Sequence, residues 1–383
     1  MKSKSRSQDE SLSFASPTFG TRLEHRTSAG NSKGQLDEKK KPRFRVWFKR
    51  TVRLVILLAL IMVIFFAWEF YSSASKLTNE HNPISLIASL WPQSPAESNG
   101  RVNILLAGYS IDDPNHGGPQ LTDSIMIISI NPKTKTSSLI SVPRDLWVNI
   151  PGNSPNKINA VFEDGAAEGF NQPGYFPGGM GLLEQMISKD FGIKFNYYAL
   201  IDYAAIRDGV NAVGGITVDI NSPDPRGIYD PYTHLKLPNG EVHLNGQMAL
   251  DLARTRGDGP GAYGIPNYDF TRTQYQQKEL VALKDKVTQS SALFNPLTVL
   301  RLVKAVGNNV VTNLKVGQME SLYSDVRGIS NGSIKQVTLN NYNGQDLLAN
   351  YYPTPYIDAL MPAAGVNNYS AIQAAVQQII YGK

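Results

Sequence analysis

The stretch Leu121–Asp145, LTDSIMIISINPKTKTSSLISVPRD, constrains this chain more than any other. Two apolar runs, Ser124–Ile130 and Ser137–Val142, flank Asn131-Pro132-Lys133-Thr134-Lys135. Short Ile- and Val-rich runs separated by an Asn-Pro turn signal read as a β-hairpin. Facing residues of an antiparallel pair have numbers of constant sum. Pairing Ile130 with Ser137 therefore sets Asp123 opposite Arg144, and brings Asp123, Arg144 and Asp145 together at the open end. Strands this continuously apolar are expected to be buried on both faces of a sheet covered by helices. Charged groups at the rim of such a sheet are candidate site residues. An ordinary strand-end ion pair is the competing reading.

Charge is unevenly spread. Residues 1–53 carry 14 Lys and Arg against 5 Asp and Glu, so the net charge of +5 comes from that segment and the remainder is net negative. A basic tail of this kind gives no ground for nucleic-acid binding by the main domain. Cysteine is absent, which excludes a disulfide framework, thiolate catalysis and Cys-ligated zinc. Residues 1–50 are polar, Ser-rich and basic and read as a disordered tail. Val52–Tyr71 is apolar apart from Arg53 and Glu69. About 20 residues at ~1.5 Å each cross a bilayer's hydrocarbon core. The basic cluster before the span places residues 1–50 in the cytoplasm and residue 72 onward outside. A signal peptide cleaved near Ser73-Ala74-Ser75 is the alternative. The expected organisation is a tail (1–50), a transmembrane helix (51–71), a spacer (72–100) and a folded domain (101–383).

Within that domain, Val102–Ala107 and Ile216–Ile220 read as strands. Helical spacing appears at Gly181–Phe191, Asp202–Val213, Asn245–Ala253, Phe270–Val287, Pro296–Val306, Val316–Ser324 and Ala371–Ile380. Residues 149–180 read as loop. Strands alternating with helices predict an α/β domain, a three-layer α-β-α sandwich with a central mixed sheet. A second charged cluster lies at Arg254, Arg256, Asp269, Arg272 and Gln276. Arg272 and Gln276 are one helical turn apart and share a face, and Asp269 is a good helix cap. Arginine's fork of donors matches phosphate, so arginines converging at one helix start would clamp a pyrophosphate. A solvated basic face is the bland alternative. His25, His81, His116, His234 and His243 show no metal spacing, no Walker loop is present, and no His neighbours Ser124 or Ser141 to form a triad.

These pieces occur in a particular order: Asn103–Gly108 (NILLAG), Thr122–Met126 (TDSIM), Val142–Asp145 (VPRD), Lys157–Ala160 (KINA), Val213–Ile216 (VGGI), Ala253–Arg256 (ARTR) and the Asp269–Gln277 helix start. In this order they resemble the LytR-CpsA-Psr family of cell-envelope phosphotransferases, over residues 101–287. The resemblance implies a sandwich with a long apolar pocket for a polyprenyl lipid. It implies transfer of a glycan phosphate from a polyprenyl-pyrophosphate carrier to peptidoglycan or another wall acceptor, by a single-pass type II protein of the bacterial cell membrane. Asp123 would hold Mg²⁺ or Mn²⁺, with Asp112 or Asp113 as a further ligand. Arg144, Arg254, Arg256 and Arg272 would hold the phosphates, Gln276 would hydrogen-bond them, and Asp145 would support Arg144 or act as a base. Three positions depart from the family pattern. Leu121 and Tyr275 stand where arginine is common, implying a weaker phosphate grip or a different donor, and Ser110 stands where aspartate is common. A pyrophosphate hydrolase and a lipid-binding regulatory module are the alternatives. For the transferase, the two clusters must face one cavity, reached by an apolar channel walled by the sheet and by helices such as Gly181–Phe191, Asp202–Val213 and Phe270–Val287.

Overall fold

The computed structural model describes residues 93–109, 120–289 and 309–382, with residue 307 and a few residues between 68 and 76. The expected tail and most of the expected transmembrane helix and spacer lie outside the described residues. So do Ser110, Asp112, Asp113 and the expected helix at Pro296–Val306. Among the described residues, no helix is long and apolar enough to cross a membrane.

The hairpin forms in the register set by its sequence. Strands β2 (Ser124–Asn131) and β3 (Thr136–Val142) pair antiparallel, with Ile130 facing Ser137. Asn131 shapes the turn: its Oδ1 accepts the backbone N–H groups of Lys133 and Thr134 at 3.0 Å. Lys135 closes the turn with φ of +52°. Strand β1 (Val102–Tyr109) lies antiparallel to β2 on its other side. Tyr197–Asp202 runs parallel to β1, Val310–Thr312 antiparallel to Tyr197–Asp202, and Ile334–Thr338 parallel to β3. The result is a six-stranded mixed sheet with the hairpin near its centre.

Side chains alternate across the sheet. Leu105, Ile127 and Ile140 point to one face and pack with Leu182, Leu183 and Ile187 of the Gly178–Phe191 helix and with Ile379 of the Ser370–Tyr381 helix. Ile104 and Ile130 point to the other face, where Leu322 of the Val316–Arg327 helix packs. Helix starts follow local chemistry. Asp202 caps Tyr203–Ala212 by accepting from the Ala204 N–H, and Asn245 caps Gly246–Arg254 by accepting from the Met248 N–H.

Two expectations need correction. The 149–180 stretch is not all loop, because it contains the Val161–Ala167 helix. That helix depends on small residues: a Cβ on Gly165 would lie 2.6 Å from the Leu182 Cβ, and one on Gly179 would lie 2.2 Å from the Phe162 carbonyl oxygen. Close helix packing of this kind overrides weak local propensity. Ile334–Thr338, which the sequence left unassigned, is an edge strand of the main sheet.

Candidate active site

The open end of the hairpin is held by a third segment. Asn159 accepts at its carbonyl from the Thr122 N–H (3.0 Å) and Oγ1 (3.2 Å), and its own N–H donates to the Arg144 carbonyl (3.2 Å). Its side-chain Nδ2 donates to Asp123 Oδ1 (3.3 Å). The loop of Thr122–Asp123, the Arg144 turn and the Lys157–Asn159 segment are thus stitched together.

Arg144 donates through Nη1 to Asp123 Oδ1 (2.8 Å) and through Nε to Asp269 Oδ2 (2.7 Å). Asp269 is the first residue of the Asp269–Gln289 helix. Its Oδ1 lies 3.1 Å from Arg256 Nε and 3.4 Å from Arg272 Nη1. These last two contacts are ion pairs without hydrogen-bond alignment: Arg256 Nε, Arg272 Nε and Asp269 Oδ1 are buried with no hydrogen-bond partner. Arg272 is only 3% exposed, and its Nη2 donates to the Asp123 carbonyl (2.7 Å). With Asp145 beside Arg144 and Asp258 beside Arg256, the three guanidinium groups meet four carboxylates, and Lys157 on Asp145 brings the cluster to charge balance. Burial works against the charge of Asp269, but Arg272, Arg144 and Arg256 outweigh it and hold the carboxyl below its usual range. Burial likewise opposes the charge on Arg144, and Asp123, Asp269 and Asp145 more than offset it, so this guanidinium stays protonated.

Arg144, Arg256 and Arg272 line one polar pocket, together with Asp145 and Lys157. Asp145 accepts from Lys157 Nζ (2.6 Å) and lies 3.7 Å from Arg144 Nε. Arg254 is not among that pocket's residues; its guanidinium stands 5.5 Å from the Tyr203 ring centre. The Tyr203 hydroxyl is 2.7 Å from Ser124 Oγ. Gln276 Nε2 donates to the Ala253 carbonyl (2.8 Å), tying the Asp269–Gln289 helix to the end of the Gly246–Arg254 helix. Gln277 ties the same helix to the sheet through Ser141 Oγ (2.7 Å) and the Val337 carbonyl (2.9 Å).

An apolar channel begins beside this cluster. Its first part, about 310 Å³, is lined by Gly108, Ser124, Met126, Tyr203 and Gln276. Its second part, about 330 Å³, is lined by Ile104, Ile128, Ile130 and Leu322, and shares Leu280 and Leu283 with the first. From Ser124 to Ile130 the channel follows β2 for roughly 20 Å, at ~3.3 Å per residue. Tyr203–Ala212 and Asp269–Gln289 wall it, as expected. The Gly178–Phe191 helix does not, because it packs on the opposite face of the sheet.

Sequence reasoning passed over Asn159 and Asp230. Asp230, 1% exposed, accepts from four backbone N–H groups: Tyr232, Thr233, Arg256 and Gly257, at 2.8–3.0 Å. Burial opposes its charge, but these bonds prevail and hold its carboxyl below the usual range. It fixes the backbone that carries Arg256. The KINA motif contained the signal for Asn159; Asp230 has no local signal.

The sequence pattern of the LytR_cpsA_psr family matches residues 64–360. The chain belongs to the LytR_cpsA_psr family. Among similar proteins, the polyisoprenyl-teichoic acid–peptidoglycan teichoic acid transferase TagU of Oceanobacillus iheyensis is 27% identical over 300 residues, covering 76% of this chain and 84% of that protein. The regulatory protein MsrR of Staphylococcus aureus is 28% identical over 215 residues, covering 56% of this chain and 55% of that one. The crystal structure of Bacillus subtilis TagV superposes with a TM-score of 0.55 at 23% identity, covering 74% of this chain and 98% of that chain. A structure of TagT bound to LI-WTA gives 0.52 at 20% identity, covering 74% and 91%. These superpositions show that the mixed α/β architecture is the one found in the LytR_cpsA_psr proteins.

Proposed function

We propose that this LytR_cpsA_psr protein is a glycopolymer phosphotransferase, moving a glycan phosphate from a polyprenyl-pyrophosphate carrier to peptidoglycan or another wall acceptor. The observation that carries the reading is the set of buried guanidinium donors without a hydrogen-bond acceptor, Arg256 Nε and Arg272 Nε, beside an apolar channel. Buried donors without acceptors are costly. A pyrophosphate would satisfy them, and its lipid tail would fill the channel. Phosphoryl transfer needs positioning and charge neutralisation more than covalent help. Arg144, Arg256 and Arg272 supply that from the polar pocket, and Arg254 flanks the channel mouth over Tyr203.

Asp123 suits a divalent cation such as Mg²⁺ or Mn²⁺. Its Oδ1 is shared by Arg144 and Asn159, while Oδ2 has no partner among the described residues. Among those residues no group of three His, Cys, Asp or Glu side chains is placed to hold a metal ion by itself. One carboxylate with phosphate and water oxygens is ordinary Mg²⁺ ligation, and Asp112 or Asp113 would add a second. The ion would neutralise charge on the pyrophosphate. A transmembrane helix at 51–71, with the tail cytoplasmic and the domain outside, would keep the site at the membrane surface where a lipid carrier resides, raising its effective concentration.

The test supplies purified full-length protein with a polyprenyl-pyrophosphate-linked glycan, Mg²⁺ and a wall acceptor. Glycan phosphate joined to the acceptor, with release of polyprenyl phosphate, is the expected result. Release onto water alone would make the protein a pyrophosphatase, and lipid binding without release would make it a regulatory module.

A further inference from the structure

The arginine cluster stands between two cavities of opposite chemistry. The apolar channel begins at Ser124, next to Asp123, whose carbonyl accepts from Arg272. The polar pocket, about 420 Å³, holds the three arginines themselves. In a phosphoryl transfer the attacking and leaving oxygens lie roughly in line across the phosphorus. A lipid phosphate leaving toward the channel therefore requires the nucleophile to arrive from elsewhere, and the polar pocket is the cavity that reaches the same guanidinium groups.

The lining of this pocket matches an uncharged polyhydroxyl ligand. Arg144, Arg256, Arg272 and Lys157 are balanced by Asp145, Asp258, Asp269 and Asp358, so it offers no surplus charge for a further polyanion. Carboxylates accept from hydroxyls and amides do both. Tyr268, 58% exposed at the pocket, adds an aromatic face. Asn350 and Asp358 come from a hairpin of Leu348–Thr354 and Ile357–Pro362. Both side chains are exposed, and neither has a side-chain partner among the described residues. Asn350 faces Leu360 across the hairpin, and Asp358 precedes Leu360 by two residues, so all three share one face. The hairpin is fixed against the hairpin rim: the Leu360 N–H donates to the Asp145 carbonyl (2.9 Å), and the Tyr351 and Trp147 rings lie 6.1 Å apart.

We propose that this pocket is the acceptor subsite, in which Asn350 and Asp358 hold a sugar of an uncharged glycan so that its free hydroxyl reaches the phosphorus beside Arg144. The inference rests on the transferase reading above. The acceptor oxygen forms a bond to the phosphorus that carries the transferred glycan. The bond from that phosphorus to the bridging oxygen breaks, and its electron pair leaves on the lipid phosphate. The hydroxyl proton passes to Asp145, the pocket carboxylate beside Arg144.

Steady-state transfer by the full-length protein, with a lipid-pyrophosphate glycan as donor and a short uncross-linked amino-sugar oligosaccharide as acceptor, tests the assignment. Asn350→Ala and Asp358→Ala should each raise the ratio of acceptor KM to donor KM at least tenfold. Tyr356→Ala, at the exposed hairpin tip and outside the pocket, should leave that ratio unchanged. An unchanged ratio in the two pocket variants, or a rise in donor KM alone, would overturn the proposal; the second result would give the pocket to the donor's own glycan. Titration of the oligosaccharide into unreacted protein, followed by calorimetry, reads the same site without turnover. Weakened binding in both variants supports the subsite even where no transfer occurs, whereas wild-type affinity in both removes it. Loss of wild-type transfer itself refutes only the transferase reading.

Discussion

Glu279 lies on the channel wall, 5% exposed, with both carboxylate oxygens lacking a hydrogen-bond partner. Burial pushes its pKa well above the usual carboxylate range. The folded protein therefore keeps a proton that the unfolded chain has already released above about pH 4.3. Stability linked to this group is fully present below that pH and is lost as pH rises toward the folded-state pKa. The slope is at most about 1.4 kcal/mol per pH unit for one proton, so the loss accumulates while the pH lies between the unfolded and the folded pKa. Glu279→Gln removes the titration while keeping shape, and Glu279→Leu also removes the unsatisfied polar group, worth about 1–3 kcal/mol more. Denaturant unfolding of each protein at pH 5, 6 and 7 should show the variant's advantage over wild type growing with pH, by at most about 1.4 kcal/mol per unit. Glu184 and Asp190, whose carboxyls burial also raises, are common to both proteins and cancel in the difference. A stability difference that does not change with pH would refute the reasoning, because it would mean that Glu279 is ionised in the folded state.

Asp123→Asn should abolish Mg²⁺ binding measured by calorimetry and reduce turnover at least a hundredfold; unchanged metal affinity would remove the ligand assignment. Arg272→Lys, at a buried position whose fork spans Asp123 and Asp269, should cost at least tenfold in kcat, since an ammonium cannot reproduce the paired donors. Asp230→Asn places an amide donor against backbone N–H groups and should destabilise the protein by about 3 kcal/mol in thermal unfolding, with a fall in kcat through Arg256. Protease added to intact cells should remove the domain and spare residues 1–50; the opposite pattern would overturn the proposed topology.

The hairpin was readable because its information is local. Apolar runs and an Asn-Pro turn set the pairing, and the constant-sum rule then carried the register to Asp123 and Arg144, which meet at 2.8 Å. The helix starts at Asp202 and Asn245 were readable for the same reason. Asp230 was not, because its ligands are backbone N–H groups on either side of the 22-residue stretch 234–255, and a backbone donor leaves no trace in residue identity. Ile334–Thr338 was missed because a short edge strand carries little periodicity and is defined by the β3 edge it joins.

Tyr275 shows the opposite limit, where a resemblance says more than the position can support. Against the family pattern it counts as an arginine lost from the phosphate grip. In the structure its ring is 3% exposed, packed with Val210, Ile216, Val218 and Leu252. Position 275 is three residues after Arg272 and so near its face of the helix, but the ring is taken up by the smaller apolar cluster and not by the phosphate pocket. Position 275 is also absent from the residues lining both the polar pocket and the channel. A substitution there changes how the helix seats against the smaller apolar cluster, while Arg144, Arg256 and Arg272 keep their arrangement around Asp269. The number of arginines in the motif is therefore a poor guide to phosphate affinity in this chain. What matters is the placement of the guanidinium donors around Asp269, and that placement survives the Tyr275 departure.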